Sequence, residues 1–257
     1  MAIFMPDIYL REIVDKKKLN ETTYAITFID TGLASEARPG QFLHIKCGDG
    51  LILRRPLGIS SISGNALTFV FEKKGKGTDW LSKRNVGDVL DILGPLGNGF
   101  CFPEGNIIVV GGGLGCAPLL FAAEYAKSGV TAVLGFREMG RVILAEDFED
   151  VCDAVYLATE DGSLGIHGTV AAPLEALLKQ GDYSAVMTCG QFVMQRAVAE
   201  LCRQYGTPCQ VLLEERMGCG VGACLVCACA TQKGNTKRMS RVCIDGPVFN
   251  SDEVIWE

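Results

Sequence analysis

Four cysteines near the C-terminus constrain this chain more than any other feature. They stand in the run Cys219-Gly-Val-Gly-Ala-Cys224-Leu-Val-Cys227, spaced C-x4-C-x2-C, with Cys243 downstream. That is the plant-type ligand spacing of a [2Fe–2S] cluster, in which four thiolates close on two irons. Glycines at 218, 220 and 222 suit a loop that curls tightly, because glycine tolerates positive φ and close backbone approach. The same turns can aim backbone N–H groups at the sulfurs and tune the cluster's potential. From about Leu212 regular periodicity is weak, so the segment is expected to depend on its metal core to fold.

Other uses of cysteine fit less well. A structural zinc site pairs two C-x2-C knuckles, and here there is one. Cys229 competes with Cys227 as third ligand, but it would change the spacing to C-x4-C-x4-C, so Cys227 is preferred. The chain has 12 cysteines in all, scattered rather than framed for disulfides. Cys47, Cys101, Cys116, Cys152, Cys189, Cys202 and Cys209 read as small buried apolar residues. Residues 1–14, broken by Asp7, Arg11 and Glu12, do not read as a secretory leader, which points to a reducing cytoplasm. No apolar run reaches the roughly 18–20 residues that span a bilayer. A formal charge of −6 argues against a nucleic-acid surface. The two histidines, His44 and His167, lack a visible partner and read as incidental.

Three segments follow along the chain, predicting an α+β multidomain protein. Residues 1–101 carry short apolar or alternating stretches (24–29, 42–45, 67–71, 89–92) between turn signals, as in a small antiparallel β-barrel. Residues 102–210 alternate buried strands (107–110, 131–136, 154–159, 185–189) with helical stretches (118–127, 174–179, 194–204). This is the pattern of a Rossmann-like parallel α/β domain. Residues 211–257 hold the cysteine loop as a small C-terminal [2Fe–2S] domain.

Two sets of residues face anions or flat rings. Arg55-Pro56-Leu57-Gly58 follows a short apolar strand, where proline keeps the backbone extended and suits an edge strand against which a ring can lie. The neighbouring arginine can pair with phosphate. Gly77-Thr78 opens a short helix, whose first N–H groups form an anion site. Taken singly, a basic pair is a solvated surface and a G-x-G-T is a turn. Gly111-Gly112-Gly113-Leu114-Gly115 joins a strand to a helix, where nucleotide-binding folds place phosphates. The strict G-x-G-x-x-G fingerprint fails there at Cys116, and a tight connection without ligand is the alternative to phosphate binding. Arg137 and Glu138 follow the next strand, where a carboxylate would take a ribose 2′-hydroxyl and an arginine a 2′-phosphate, leaving NAD or NADP open.

In this order, with Leu93-Gly-Pro-Leu-Gly-Asn-Gly-Phe100, Cys189-Gly190, Leu213-Glu-Glu-Arg-Met-Gly-Cys219 and Cys243-Ile-Asp-Gly-Pro-Val-Phe249, the motifs resemble the ferredoxin reductase-like flavoproteins. More closely, they resemble the electron-transfer subunits of class 1B, NAD-dependent dihydroorotate dehydrogenases, over nearly the whole chain. The resemblance implies FAD, a [2Fe–2S] cluster and NAD as cofactors. Arg55, Pro56, Leu57 and Gly58 would line the flavin and its phosphates, with Val70, Phe71 and Glu72 beside it. Gly77 and Thr78 would hold the pyrophosphate, and Gly111, Gly112, Gly113 and Gly115 would face NAD. Cys219, Cys224, Cys227 and Cys243 would hold the cluster. No residue of this chain need act as a catalytic acid or base. The resemblance also implies a partner, an FMN-containing TIM-barrel catalytic subunit, in a heterotetramer serving pyrimidine (UMP) biosynthesis. Electrons would pass from it by the cluster and FAD to NAD+. A second reading is a diaphorase-like subunit serving a hydrogenase or an NADPH/ferredoxin pair. Two positions depart from the family: Gly58 stands where Ser or Thr is usual, leaving Ser60 or a backbone amide as a substitute, and Gln191 replaces a proline.

Overall fold

The computed structural model describes residues 7–234 and 236–256. Its first part holds β1 (Ile8–Lys18), β2 (Thr23–Ile29), α1 (Thr31–Glu36), β3 (Phe42–Ile45), β4 (Arg55–Ser63), β5 (Ala66–Glu72), α2 (Lys76–Ser82) and β6 (Val89–Leu96). The six strands close into the expected barrel in the order β1-β2-β5-β4-β3-β6. Period-two alternation sets the core. Leu67, Phe69 and Phe71 of β5 point inward with Ile26 and Phe28 of β2, while Ala25 and Val70 point outward into a second apolar cluster. The sequence pattern missed β1 because its run of charges, Arg11, Glu12 and Asp15–Lys18, hides the alternation. Pairing with β2 and β6 decides it.

The second part is β7 (Ile107–Gly112), α3 (Cys116–Tyr125), β8 (Val130–Phe136), α4 (Ala145–Val151), β9 (Ala154–Thr159), β10 (Ile166–His167), α5 (Ala171–Leu178), β11 (Ala185–Cys189), α6 (Phe192–Tyr205) and β12 (Cys209–Leu212). These strands lie in the order β10-β9-β8-β7-β11-β12, all parallel. Ile107 and Val109 pack with α3 and Phe148 of α4 on one face, and Ile108 and Val110 with α5 and α6 on the other. Burial on both faces is why such strands read as unbroken apolar runs.

The C-terminal part is more regular than expected. β13 (Ala228–Lys233) and β14 (Thr236–Arg241) form an antiparallel hairpin. β15 (Val248–Asn250) joins the central sheet as a seventh strand, antiparallel to β12, with Val211 opposite Phe249. The hairpin escaped the sequence pattern because one strand is mostly exposed and neither carries an apolar alternation. Among the described residues, no helix is long and apolar enough to cross a membrane.

Candidate cofactor sites at the junction of barrel, sheet and cysteine loop

A cavity of about 430 Å³ opens where the three parts meet, within the usual range for a small-molecule pocket. Phe42, Pro56, Leu57, Gly58 and Val70 wall it from the barrel, Leu114, Ala117 and Pro118 from the start of α3, and Glu214–Met217 and Pro247 from the C-terminal part. β4 is no edge strand in the closed barrel, contrary to expectation. At residues 55–58, however, it pairs with β3 alone, and β5 takes over only from Ile59. Proline can sit there because no neighbour needs its N–H. Phe71 turns its ring into the barrel core, so it offers this face only its backbone. Glu72 meets Arg141 at 3.3 Å and Lys74 at 2.9 Å, and Arg141 also reaches Thr22 at 2.9 Å, tying the second part to the barrel. Ser60 is buried and does not line the cavity.

Two signals distant in sequence meet at α2. A Cβ on Gly77 would stand 2.6 Å from Cζ of Arg55, so the guanidinium lies against the first turn of that helix. The Thr78 hydroxyl is spent on the turn itself, accepting from the N–H groups of Lys74 and Gly75 at 2.9 and 3.1 Å. A guanidinium beside the unsatisfied N–H groups of a helix start suits a pyrophosphate.

In the glycine loop the residues divide their work. Gly115 packs so close to Cys189 that a Cβ would stand 2.5 Å from the Cys189 carbonyl carbon, whereas Gly113 has open space around it. Gly111 abuts Cys116, and Gly112 faces Met194 and Gly190. Burial pushes the thiols of Cys116 and Cys189 well up, so both act as apolar packing. Cys101, read as buried, is exposed instead, because its role is in its backbone, which exchanges hydrogen bonds with the Gln210 amide at 2.8 and 2.6 Å. A second cavity of about 360 Å³ lies beside Gly190, Gln191, Phe192 and Gln195, with Glu214 and Glu215 shared between the two cavities. Arg137 and Glu138 are exposed beyond β8.

The cysteines form two pairs. The Cys219 N–H points at Cys224 Sγ at 3.4 Å, and Cys219 Sγ accepts from the N–H groups of Val221 and Ala223 at 3.4 and 3.3 Å. Burial raises the Cys219 thiol, but N–H donation from Val221, Cys224 and Ala223 outweighs it and brings the group down to about 7. Cys243 contacts Cys227, and burial first, then that contact, pushes its thiol up to about 12. Among the described residues, no three His, Cys, Asp or Glu side chains already converge on one point. Two thiol pairs, with N–H groups already aimed at the Cys219 and Cys224 sulfurs, suit a two-iron cluster that takes two thiolates on each iron. The loop is tied down by Arg241, which donates to the Gly222 carbonyl at 3.2 Å and pairs with Asp245 at 3.2 Å. Asn98 of the Leu93–Phe100 block donates to the carbonyls of Ile244 and Asp245 at 2.9 and 3.3 Å, so two of the quoted motifs hold barrel and cysteine loop together.

Residues 214–255 match the family model of the iron–sulfur cluster binding domain of dihydroorotate dehydrogenase B. Over 246 residues the chain is 37% identical to the dihydroorotate dehydrogenase B (NAD(+)) electron transfer subunit of Caldanaerobacter subterraneus subsp. tengcongensis, a match covering 95% of this chain and 97% of that one. The chain belongs to this family. The electron transfer subunit of Bacillus caldolyticus is 38% identical over 254 residues, covering 95% of this chain and 96% of its own. Among solved structures, an NADH-dependent reduced ferredoxin-NADP oxidoreductase of flavin-based electron bifurcation superposes with a TM-score of 0.86 at 31% identity, over 96% of this chain and 90% of that one. A ferredoxin reductase of carbazole 1,9a-dioxygenase shares the fold, with a TM-score of 0.67 at 19% identity, over 79% of this chain and 67% of its own.

As a dihydroorotate dehydrogenase B electron transfer subunit, the chain makes its departure at Gly58 intelligible. A Cβ there would stand 3.1 Å from Cβ of Pro118 at the start of α3. Gly58→Ser should therefore cost about 1–2 kcal/mol through crowding. Thermal unfolding should register this as a Tm lower by several degrees, and the added hydroxyl should perturb the visible flavin spectrum. An unchanged Tm would mean that α3 yields freely at this point.

Proposed function

We propose that this electron transfer subunit carries electrons between NAD+ and a catalytic subunit that oxidises dihydroorotate on FMN held in a TIM barrel. In this reading the two assemble as a heterotetramer in the cytoplasm. One observation carries the reading. Phe42 and Met217, which wall the first cavity, pack in the same apolar cluster as Cys227 and Cys243. This shared apolar cluster supports a flavin site and a cluster site that lie side by side. When bound, nicotinamide exchanges hydride and an iron–sulfur cluster single electrons, and flavin manages both. The chain's own tasks are then to grip, align and exclude solvent. Arg55 and the α2 turn at Gly77-Thr78 take phosphates, and Pro56, Leu57, Gly58 and Val70 flank the ring. The Gly111–Gly115 loop faces the dinucleotide, and the four cysteines hold the metal. Residues 1–101, 102–210 and 211–257 divide this work among barrel, nucleotide-binding and cluster segments.

The partner's seat follows from exposure. Val221, Leu225, Val226 and Ile244, around the cysteines, are 42%, 62%, 57% and 37% exposed. An apolar patch at an electron exit is a docking surface. Val226→Glu should weaken association with the FMN subunit at least tenfold in a titration by light scattering or calorimetry, with iron and flavin contents unchanged. The division of labour is tested by purifying the chain alone. It should oxidise NADH with an artificial acceptor yet leave dihydroorotate untouched until the FMN subunit is added; turnover of dihydroorotate by the isolated chain would sink the proposal. The likeness to a ferredoxin-NADP oxidoreductase favours the rival, diaphorase-like reading. Under that reading, reduced ferredoxin rather than the FMN subunit would drive nicotinamide reduction.

A further inference from the structure

His44 is fully buried on β3, and among the described residues neither of its ring nitrogens has a hydrogen-bond partner. A buried polar group left in this condition needs an explanation, since an apolar side chain would fill the space more cheaply. Its position supplies one. On one side β3 pairs His44 with Pro56, a wall of the first cavity. On the other side the ring meets the cysteine loop, where a Cβ on Gly220 would stand 2.6 Å from Nδ1. Gly220 sits at φ +73°, a conformation that glycine adopts freely, so the loop can lie flat on the imidazole. Phe42, another wall of the cavity, packs edge-on against the ring with centroids 6.3 Å apart. One side chain therefore touches both the strand that borders the flavin cavity and the turn that begins the cluster loop.

We propose that His44 is a positioning residue whose ring, with Nδ1 turned toward Gly220, fixes the turn that aims the Val221 and Ala223 N–H groups at the Cys219 sulfur. The inference rests on the reading of this loop as a cluster site. It goes beyond that reading by giving a role to a residue that ligates nothing and lies outside the motif. Burial, with the charge of Arg54 adding to it, holds the ring neutral, down to about 4. N–H groups directed at cluster sulfurs favour the reduced, more negative state, so loosening the turn should make the cluster harder to reduce.

The test uses full-length chain prepared anaerobically as wild type, His44→Leu and His44→Asn, the last keeping an N–H donor near the place of Nδ1. Iron, sulfide and flavin contents are measured first, and wild-type chain without iron would sink the cluster reading itself. The cluster's midpoint potential and its electron paramagnetic resonance spectrum are then followed in a reductive titration. For His44→Leu the expected result is a lower potential, by at least a tenfold change in the reduction equilibrium, which is about 59 mV for one electron. His44→Asn should recover most of it. If His44→Leu keeps its cluster with wild-type potential and spectrum while only Tm falls, His44 is packing and the inference fails. If His44→Leu does not fold, His44→Asn against His44→Gln decides. Asparagine should then lie closer to wild type, and equal potentials in the two would overturn the assignment.

Discussion

Cys227→Ser is expected to strip the chain of its iron–sulfur absorption, while Cys229→Ser, two residues on, leaves it intact. The two thiols are separated by their surroundings. Cys227 is 2% exposed, lies against Cys243 and has its carbonyl held by the Val242 N–H at 3.0 Å, which joins the third and fourth ligands. Cys229 lies within β13, opposite Ser240, and lines the second cavity, where burial raises its thiol to about 11. Cys227 stands in contact with a second thiol of the quoted motif, and thiols paired in this way lose their protons to metal together. Bound iron should fall at least tenfold in Cys227→Ser. Because binding such a metal core supplies folding free energy, the loop and its hairpin should also become sensitive to protease. Iron and sulfide analysis with visible circular dichroism settles the matter, and a Cys229→Ser variant lacking the cluster would reverse the assignment.

Gly77→Val should empty the flavin site without disturbing the cluster. A branched side chain at 77 occupies the place where the Arg55 guanidinium lies, as the 2.6 Å approach of a bare Cβ to its Cζ makes plain. The guanidinium is the free end of a flexible side chain, so the fold can accommodate it elsewhere at small cost. The phosphate seat cannot, since it needs that charge beside the helix start. Charge-assisted hydrogen bonds contribute about 1.5–3 kcal/mol each, so losing one should weaken FAD binding by about ten- to a hundredfold. FAD retained through gel filtration, counted against iron in the same sample, is the measurement. Full FAD occupancy in Gly77→Val would remove α2 from the phosphate site.

Much of this was legible in the chain itself. The C-x4-C-x2-C spacing with Cys243 marks a cluster because covalent distance along a short loop limits which thiols can converge. The unbroken apolar runs at β7, β8 and β11 announce a parallel sheet covered on both faces, since only full burial tolerates that composition. Elsewhere local pattern was silent. β1 and the β13–β14 hairpin are too charged or too exposed to show periodicity, and β15 is three residues long. Each exists because a partner strand satisfies its backbone. His44 shows the same limit: a lone histidine carries no signal, and its burial against Gly220 appears only when β3 and the cysteine loop meet.

Local sequence thus determined the cysteine spacing, the parallel sheet and the barrel, because spacing and hydrophobic period act over a few residues. Tertiary structure alone decided that Arg55 meets Gly77, that Asn98 grips the turn after Cys243, and that walls of the first cavity join the apolar cluster of Cys227 and Cys243. The first two contacts join residues 22 and 147 positions apart, and the energies of all three depend on a register and a packing that no short stretch of chain encodes.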